Sequence, residues 1–200
     1  DQYETEEHFI CFPEESLTDS SKSVNMRLYQ ALRRRHNQGI VTERSTRWLA
    51  KLEKYLRLND VSAWEKPDFQ DKWHTSPYYL LPKFMLMWAE DKNQQIMSSV
   101  VNYLKSEQRP DGGFGYSSSN IEESSFGLHG YLIYQQTFGG GCTEEIERCY
   151  QYFVANYTPG SNVPDLWIAK TLFGSYYMAH ANILGVLNKY RNVMLKKSVK

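Results

Sequence analysis

The sequence contains few cysteines and no long apolar run, and its charges balance. Cys11, Cys142 and Cys149 are an odd number without Cys-x-x-Cys spacing, so neither a disulfide framework nor a zinc knuckle is indicated. No apolar stretch approaches the roughly 18 residues that a membrane span requires. Lys plus Arg and Asp plus Glu number 23 each, which gives no support for nucleic acid or an anionic membrane as a partner. We therefore expect a protein of a reducing, cytoplasmic compartment.

A starting Met and a secretory signal pattern are also missing. The chain begins at Asp1 in a charged stretch, which we interpret as the sign of a partial or processed polypeptide. A length of 200 residues with 41% hydrophobic content suits one domain with its own core. Aromatic residues are abundant at 14%. They fit a tyrosine-rich core with hydrated hydroxyl groups and an aromatic-lined cavity equally well.

Helical spacing of apolar residues dominates the chain, and no stretch shows the sustained alternation of a strand. Turn signals at Arg109–Gly113 and Gly139–Gly141 separate helical segments. Asn120 is predicted to cap a helix whose first turn holds two glutamates, and Thr143 is predicted to cap the next one. The predicted helices cover residues 23–36, 42–58, 79–89, 93–107, 120–137, 143–156 and 167–190.

A weak repeat runs through these predicted helices. A tyrosine flanked by polar and apolar residues recurs about 48 residues apart, late in three helices, at Tyr55, Tyr103 and Tyr152. A loop and a more apolar helix follow each of them. Helix pairs that repeat at this period predict stacked hairpins, in an open solenoid or a closed toroid. In a closed α/α barrel the more apolar helices, starting near Tyr79, Ile121 and Trp167, would form the inner ring, and these pairs would supply about half of it.

Several blocks of sequence resemble one enzyme superfamily. The segment Gln-Arg-Pro-Asp-Gly-Gly-Phe-Gly-Tyr at 108–116, with the helix start at 120–132, resembles the glutamine- and aromatic-rich repeat of terpene cyclases and prenyltransferases. The segment Asp-Lys-Trp-His-Thr-Ser-Pro-Tyr-Tyr at 71–79 resembles a signature of class II diterpene cyclases. Two further blocks in the family's order lie at 7–25 and 166–173. The chain is thus similar, over nearly its whole length, to the C-terminal part of copalyl-diphosphate-synthase-like class II terpene cyclases.

The resemblance implies an all-α fold, an α/α barrel of the terpene cyclase type that is incomplete in this chain. Residues 1–200 would be the C-terminal portion of a single barrel domain. The implied activity is the protonation of geranylgeranyl or farnesyl diphosphate, followed by ring closure to a bicyclic diphosphate of the copalyl or drimenyl type. The implied partners are the prenyl diphosphate and an upstream segment or partner chain that completes the barrel. Mg²⁺ is the implied cofactor for diphosphate binding, with its ligands outside this chain.

One departure from the family concerns the catalytic acid. An alkene is a feeble base, so its protonation needs a strong carboxylic acid held neutral in a dry pocket. The family carries this acid in an Asp-x-Asp-Asp motif, which the sequence lacks. We therefore expect that residues 1–200 alone cannot start the reaction.

The resemblance also assigns catalytic roles to two residues. Asn25 matches the family asparagine that hydrogen-bonds the catalytic acid, where an amide can orient the carboxyl group. The alternative is an asparagine that satisfies backbone groups at a helix N-terminus. His74 could help to take the final proton, although a single histidine beside an apolar face also fits a core residue.

Five residues are candidates for substrate binding. Lys72 matches the lysine that relatives present to the diphosphate, and a point cation suits a phosphate oxygen. A surface pair with Asp71 is the alternative. Lys170, after an apolar run, has a similar but weaker claim. Aromatic ring faces can stabilise a migrating cation without capturing it, and this predicts a contact with substrate for Trp73, Tyr78 and Tyr79.

A metal site is not predicted within the chain. His129 and Cys142 invite comparison with the zinc site of protein prenyltransferase β subunits, but the Asp-x-Cys ligand pair of that site is missing, and zinc needs its full ligand set. Tyr176, Tyr177 and His180 are further cavity candidates. A non-catalytic toroid that acts as a scaffold or a protein-binding module remains the alternative to the cyclase.

Overall fold

The computed structural model describes residues 2–12, 21–67, 71–168 and 172–195. Within these ranges the chain is mostly helical, which confirms the predicted all-α class. The helices are α1 (Lys22–Asn37), α2 (Glu43–Tyr55), α3 (Leu81–Asp91), α4 (Gln94–Glu107), α5 (Ile121–Phe138), α6 (Thr143–Asn156) and α7 (Tyr176–Tyr190). A short 3-10 turn, Val61–Trp64, lies between α2 and α3, and a π-helical turn, Arg191–Leu195, follows α7. Among the described helices, none combines the length and the apolar character that crossing a membrane requires.

The helices pack as pairs in two layers. Helix α1 packs on α2, α3 on α4, and α5 on α6. Helix α5 also contacts α3, α4 and α7, so α3, α5 and α7 lie side by side, with α4 and α6 packed against them. This is the stacked arrangement of helix pairs that the repeat predicts.

Helix α5 lies at the centre of the core. Thirteen of its eighteen residues are buried, because α3, α4, α6 and α7 all pack against it. A helix that is apolar nearly all round is expected in such a surrounded position. Its N-terminus is therefore fixed from several sides.

The helix start at Asn120 is confirmed. Its Oδ1 accepts a hydrogen bond of 2.9 Å from the backbone N–H of Glu123, which satisfies one of the free donors of the first turn. The predicted cap at Thr143 is wrong by one residue. Cys142 occupies the cap position without a side-chain hydrogen bond, and Thr143 is the first helical residue.

The predicted helix at 167–190 is wrong in its first part. Trp167–Ile168 (β1) and Leu172–Phe173 (β2) form a short antiparallel pair instead, and strands of two residues are too short to show the alternation of a strand in the sequence. The backbone N–H of Ile168 donates to the Trp73 carbonyl at 3.0 Å, and that of Thr75 donates to the Leu166 carbonyl at 2.9 Å. Extended pairing with the 73–75 segment suits aromatic and β-branched residues. The helix itself begins only at Tyr176.

Candidate functional site

A buried aromatic and acidic cluster lies where the 71–79 segment meets α5 and β1. We call it the His74 cluster, and it consists of His74, Tyr79, Glu122, Phe126 and Trp167. The rings of His74 and Tyr79 stack with centroids 4.4 Å apart and planes at 6°. Trp167 meets His74 edge-on at a centroid distance of 4.9 Å, and Phe126 does so at 5.5 Å. His74 is fully buried.

Local structure explains why these five side chains converge. Glu122 and Phe126 are one turn apart on α5, so they point to the same side of that helix. Trp167 lies in β1, whose backbone bonds to the 73–75 segment. The hairpin, which the sequence does not predict, therefore delivers the tryptophan to the cluster.

Hydrogen bonds within the cluster fix the state of His74. The backbone N–H of Ser76 donates to His74 Nδ1 at 3.0 Å, so Nδ1 must be an acceptor and the ring proton lies on Nε2. That nitrogen is 3.6 Å from Glu122 Oε1, which also accepts a hydrogen bond of 2.9 Å from Trp167 Nε1. Nδ1 is thus engaged by a backbone donor of this chain, and the role of His74 as the final base stays a prediction.

The neighbouring glutamate, Glu123, has a different environment. Its Oε1 accepts a hydrogen bond of 2.7 Å from Ser76 Oγ. Its Oε2 accepts bonds from the Tyr116 N–H at 3.1 Å and from Asn120 Nδ2 at 2.5 Å. Both carboxylate oxygens are satisfied, so Glu123 ties the 71–79 segment and the 108–120 loop to α5.

A cleft of about 750 Å³ lies between α1, α3, α5 and α7. Its walls are rich in cations, whereas Glu90 is the one acidic side chain among the described lining residues. Apolar side chains such as Met26, Met87 and Ile133 cover the remainder. The cationic lining residues are Arg27, Arg34, Lys83, Lys92 and Lys189. A pocket with both surfaces suits a ligand that has an apolar chain and an anionic head group.

Tyr79 joins this cleft to the His74 cluster. The Nζ atom of Lys83 lies 3.1 Å from the centroid of the Tyr79 ring, a cation–π contact. Burial, together with the nearby charge of Arg27, lowers the pKa of Lys83 to about 7. Burial, together with Lys189, lowers the pKa of His129 to about 4. Burial is the main cause of both shifts, and a bound anion beside Lys83 would favour its charged form.

The predicted substrate-binding residues point in different directions. Only Tyr79 belongs to the His74 cluster and contacts a cleft residue. Tyr78 is buried on the other side, where its hydroxyl donates to Glu107 Oε2 at 3.2 Å. Lys72 Nζ lies 5.4 Å from the Phe12 ring centroid and 5.7 Å from that of the half-buried Trp73. Lys170 lies outside the described residues. The functional roles of these residues remain predictions.

Asn25 is fully buried on α1. Its Nδ2 donates to the carbonyls of Phe9 at 2.8 Å and Ser21 at 2.9 Å. Its Oδ1 accepts from the Phe9 N–H at 2.9 Å. Both amide hydrogens are thus bonded to backbone carbonyls of this chain, as expected for an asparagine that satisfies backbone groups at a helix N-terminus. One lone pair of Oδ1 has no partner among these bonds. A bond to a catalytic acid therefore stays a prediction.

The other cavity candidates lie apart from the cluster. Tyr177 is 85% exposed. His180 is buried and bonded to the Tyr157 hydroxyl and the Ser161 carbonyl, each at 3.1 Å. Among the residues that the structure describes, no group of three or more His, Cys, Asp or Glu side chains could hold a metal ion. No Mg²⁺ ligand is therefore assigned among these residues.

Most residues of the site are not predicted from the sequence, and Glu122 and Lys83 show why. Glu122 was interpreted only as a favourable charge at a helix N-terminus, and nothing local shows that its side chain is buried. Lys83 was not considered at all. Its position four residues after Tyr79 was the available signal, because that spacing places two side chains on one face of a helix.

Comparison with known proteins identifies relatives of this chain. It is 28% identical over 121 residues to a type B diterpene cyclase of Mycobacterium tuberculosis, an alignment that covers 60% of the chain and 24% of the relative. It is 26% identical over 195 residues to an ent-copalyl diphosphate synthase of a Streptomyces species, covering 93% of the chain and 35% of the relative. No protein-family model matches the chain.

One solved structure supports the fold. The ent-copalyl diphosphate synthase from Streptomyces platensis superposes with a TM-score of 0.75 at 23% identity, covering 94% of this chain and 36% of the other. The chain therefore spans about a third of the length of that protein and of the Streptomyces relative.

Proposed function

We propose that this chain, which is class II diterpene-cyclase-like in sequence and fold, contributes to an enzyme that cyclises a linear prenyl diphosphate by protonation. The product would be a bicyclic diphosphate of the copalyl or drimenyl type, formed from geranylgeranyl or farnesyl diphosphate. An Asp-x-Asp-Asp acid would come from outside residues 1–200. The rest of the barrel would come from an upstream segment or a partner chain.

One observation carries the proposal, namely the position of the buried His74 cluster beside the cationic cleft. Three aromatic rings, those of Tyr79, Phe126 and Trp167, surround His74 and Glu122. Such rings stabilise a carbocation through their faces and offer it no reactive lone pair. Lys83 connects the two surfaces, because its Nζ lies 3.1 Å from the centroid of the Tyr79 ring and its side chain lines the cationic cleft. A scaffold has no physical reason to place these two surfaces side by side.

Each surface has a separate task in the proposed reaction. The cations of the cleft would bind the diphosphate, and two of them act on Tyr79: Lys83 lies over its ring, and the charge of Arg27 lowers its pKa against the raising effect of burial. If the complete enzyme keeps water from the cluster, of which His74, Glu122 and Phe126 are buried in this chain, a cation would survive there long enough for ring closure. His74 would help to take the final proton in the proposed reaction, and its Nε2 lies 3.6 Å from Glu122 Oε1 while its ring is held by the Ser76 N–H.

The remaining expectations belong to the whole enzyme. Mg²⁺ would support diphosphate binding through ligands outside the described residues, and the cytoplasm is the expected compartment. The diphosphate substrates are water-soluble anions, and the zero net charge of the chain gives it no general attraction to an anionic surface.

The test is an incubation of the complete enzyme with farnesyl and geranylgeranyl diphosphate plus Mg²⁺. The mass and skeleton of the product would identify the reaction and the chain length of the substrate. Arg27→Ala and Lys83→Ala are expected to raise the KM for the diphosphate by about 10-fold or more, since each removes a charge-assisted contact. Lys54→Ala, on the exposed face of α2, serves as the control. Absence of any cyclised product and of prenyl diphosphate binding would leave the scaffold function.

A further inference from the structure

Within the part of the chain that the structure describes, the buried carboxylate of Glu122 has no compensating lysine or arginine. Its side chain is fully buried, and no lysine or arginine nitrogen of the described residues lies within ion-pair distance of it. Oε2 has no hydrogen-bond partner among the described residues. A buried charge is expensive unless it is paired, and most buried polar atoms in folded proteins are bonded. The neighbouring Glu123 shows that this fold can satisfy a carboxylate here fully.

Three features of the site favour the ionised form of Glu122. It occupies the first turn of α5, where the N-terminal end of the helix dipole stabilises an anion. Trp167 Nε1 donates to Oε1 at 2.9 Å. The protonated Nε2 of His74 faces the same oxygen at 3.6 Å, because the Ser76 N–H occupies Nδ1. Trp167 Nε1 is neutral, and His74 Nε2 lies beyond hydrogen-bond distance, so the carboxylate is oriented by the tryptophan without its charge being cancelled.

We infer that Glu122 supplies a fixed negative charge that stabilises the carbocation during ring closure. This inference rests on the proposed cyclase function. The cation is the missing partner of the carboxylate, and it is present only while the reaction proceeds. A charge that is unpaired in the resting enzyme and paired in the transition state lowers the barrier. Glu122 is a positioning and electrostatic residue in this scheme and forms no bond to the substrate.

The arrangement also explains the neutral histidine. If His74 were protonated, its positive charge would pair with Glu122. The attraction between the Glu122 carboxylate and the carbocation of the substrate would then be weaker. In the resting enzyme the Ser76 N–H disfavours this by occupying Nδ1. The cluster thus holds Glu122 in place with a donor that carries no charge.

Binding of two inhibitors to the complete enzyme tests the inference. One is a prenyl diphosphate analogue with an ammonium nitrogen in place of the carbon that becomes cationic. The other is the isosteric, uncharged carbon analogue. In Glu122→Gln we expect the Kd of the ammonium analogue to rise by about 10- to 100-fold, because the amide keeps the shape and loses the charge. The Kd of the carbon analogue should stay within about 2-fold, since it gains nothing from the charge.

Two further variants make the result specific. Glu122→Asp keeps the charge, so it should retain most of the preference for the ammonium analogue even if packing is disturbed. Glu144→Gln is the matched control, because Glu144 occupies the corresponding first-turn position of α6 and is exposed. If Gln and Asp at position 122 weaken both analogues equally, Glu122 is merely structural and the inference is wrong. An unchanged preference in Glu122→Gln would be equally decisive against it.

The same measurement separates this inference from the proposed function. If the wild-type enzyme binds neither analogue and forms no cyclic product, the cyclase proposal fails and the inference falls with it. If the wild-type enzyme prefers the ammonium analogue and cyclises its substrate, the function stands. The comparison between Gln and Asp then decides the role of Glu122 alone.

Discussion

At the scale of single residues, Lys83 combines burial with a charge. Its ammonium group lies on the Tyr79 ring and faces Arg27 across the cleft, and its pKa is lowered to about 7. An unfolded lysine has a pKa of about 10.4. Below about pH 7 the group is protonated in both states, so the folded protein bears the full penalty of the buried charge. Between the two pKa values the unfolded state binds the extra proton, and stability rises with pH.

We therefore expect Lys83→Met to stabilise the complete enzyme most at acidic to neutral pH. The gain in melting temperature over wild type should be largest near about pH 6 and should shrink as the pH rises from about 7 toward about 10, because over this range the folded lysine is neutral while the unfolded one still binds its proton. Thermal unfolding across this range measures the effect. Lys54→Met, at an exposed position on α2, should show no such trend. A gain in Lys83→Met that does not depend on pH would contradict the buried charge.

The adjacent glutamates of α5 should respond oppositely to the same substitution. Glu123→Gln replaces an acceptor-only group that receives three hydrogen bonds, so we expect a loss of about 1–3 kcal/mol in the free energy of unfolding. Glu122→Gln removes an uncompensated buried charge, so stability should be unchanged or higher. Denaturant unfolding of both variants, with Glu144→Gln as control, measures the difference. Equal losses in the two variants would contradict the distinction drawn between them.

At the scale of elements, two glycines in helices α5 and α7 make a matched pair. A Cβ atom at Gly127 would lie 2.3 Å from the Phe114 ring, whereas one at Gly185 would meet nothing within 4 Å. Gly127 therefore allows the 108–116 turn to pack directly on α5. Gly185 carries only the low helix propensity of glycine.

Gly127→Ala should destabilise the enzyme by about 1–3 kcal/mol, because the buried ring of Phe114 must move. Gly185→Ala should stabilise it by about 0.4–1 kcal/mol. The two substitutions add the same methyl group, so any difference comes from the surroundings. Chemical denaturation of both variants would show the opposite signs, and a stabilising Gly127→Ala would mean that the 108–116 turn does not pack as described.

The elements also show how far the sequence alone leads. Helices α1, α4, α5 and α6 were predicted within one or two residues, because their apolar spacing and polar starts agree locally. The hairpin before α7 was missed, since its strands are two residues each and bond partly to the remote 73–75 segment. The His74 cluster depends on that same long-range pairing. The sequence predicts functional roles for His74 and Tyr79, because both lie in the 71–79 segment. It does not predict that Glu122 and Trp167 contact them, because these contacts depend on the long-range pairing.

At the scale of the whole molecule, the chain spans about a third of its Streptomyces relative and of the matched solved structure. Several large apolar side chains of the β2–α7 region are exposed, among them Phe173, Tyr177, Met178 and Leu184. The cleft between α1 and α7 has cations and apolar walls, but the sequence contains no Asp-x-Asp-Asp motif. Substrate binding and protonation therefore depend on different parts of the proposed enzyme.

This separation predicts that residues 1–200 by themselves form no cyclic product from geranylgeranyl or farnesyl diphosphate. In the proposed reaction the His74 cluster would stabilise a cation but would not create one, because an alkene is protonated only by a strong, desolvated acid. Supplying the remainder of the enzyme as a second polypeptide should restore the product. The same addition should fail when the aspartates of its Asp-x-Asp-Asp motif are replaced by asparagine. Turnover by the 200-residue chain alone would mean that the catalytic acid lies within this sequence. It would contradict the proposal that substrate binding and protonation depend on different parts of the enzyme.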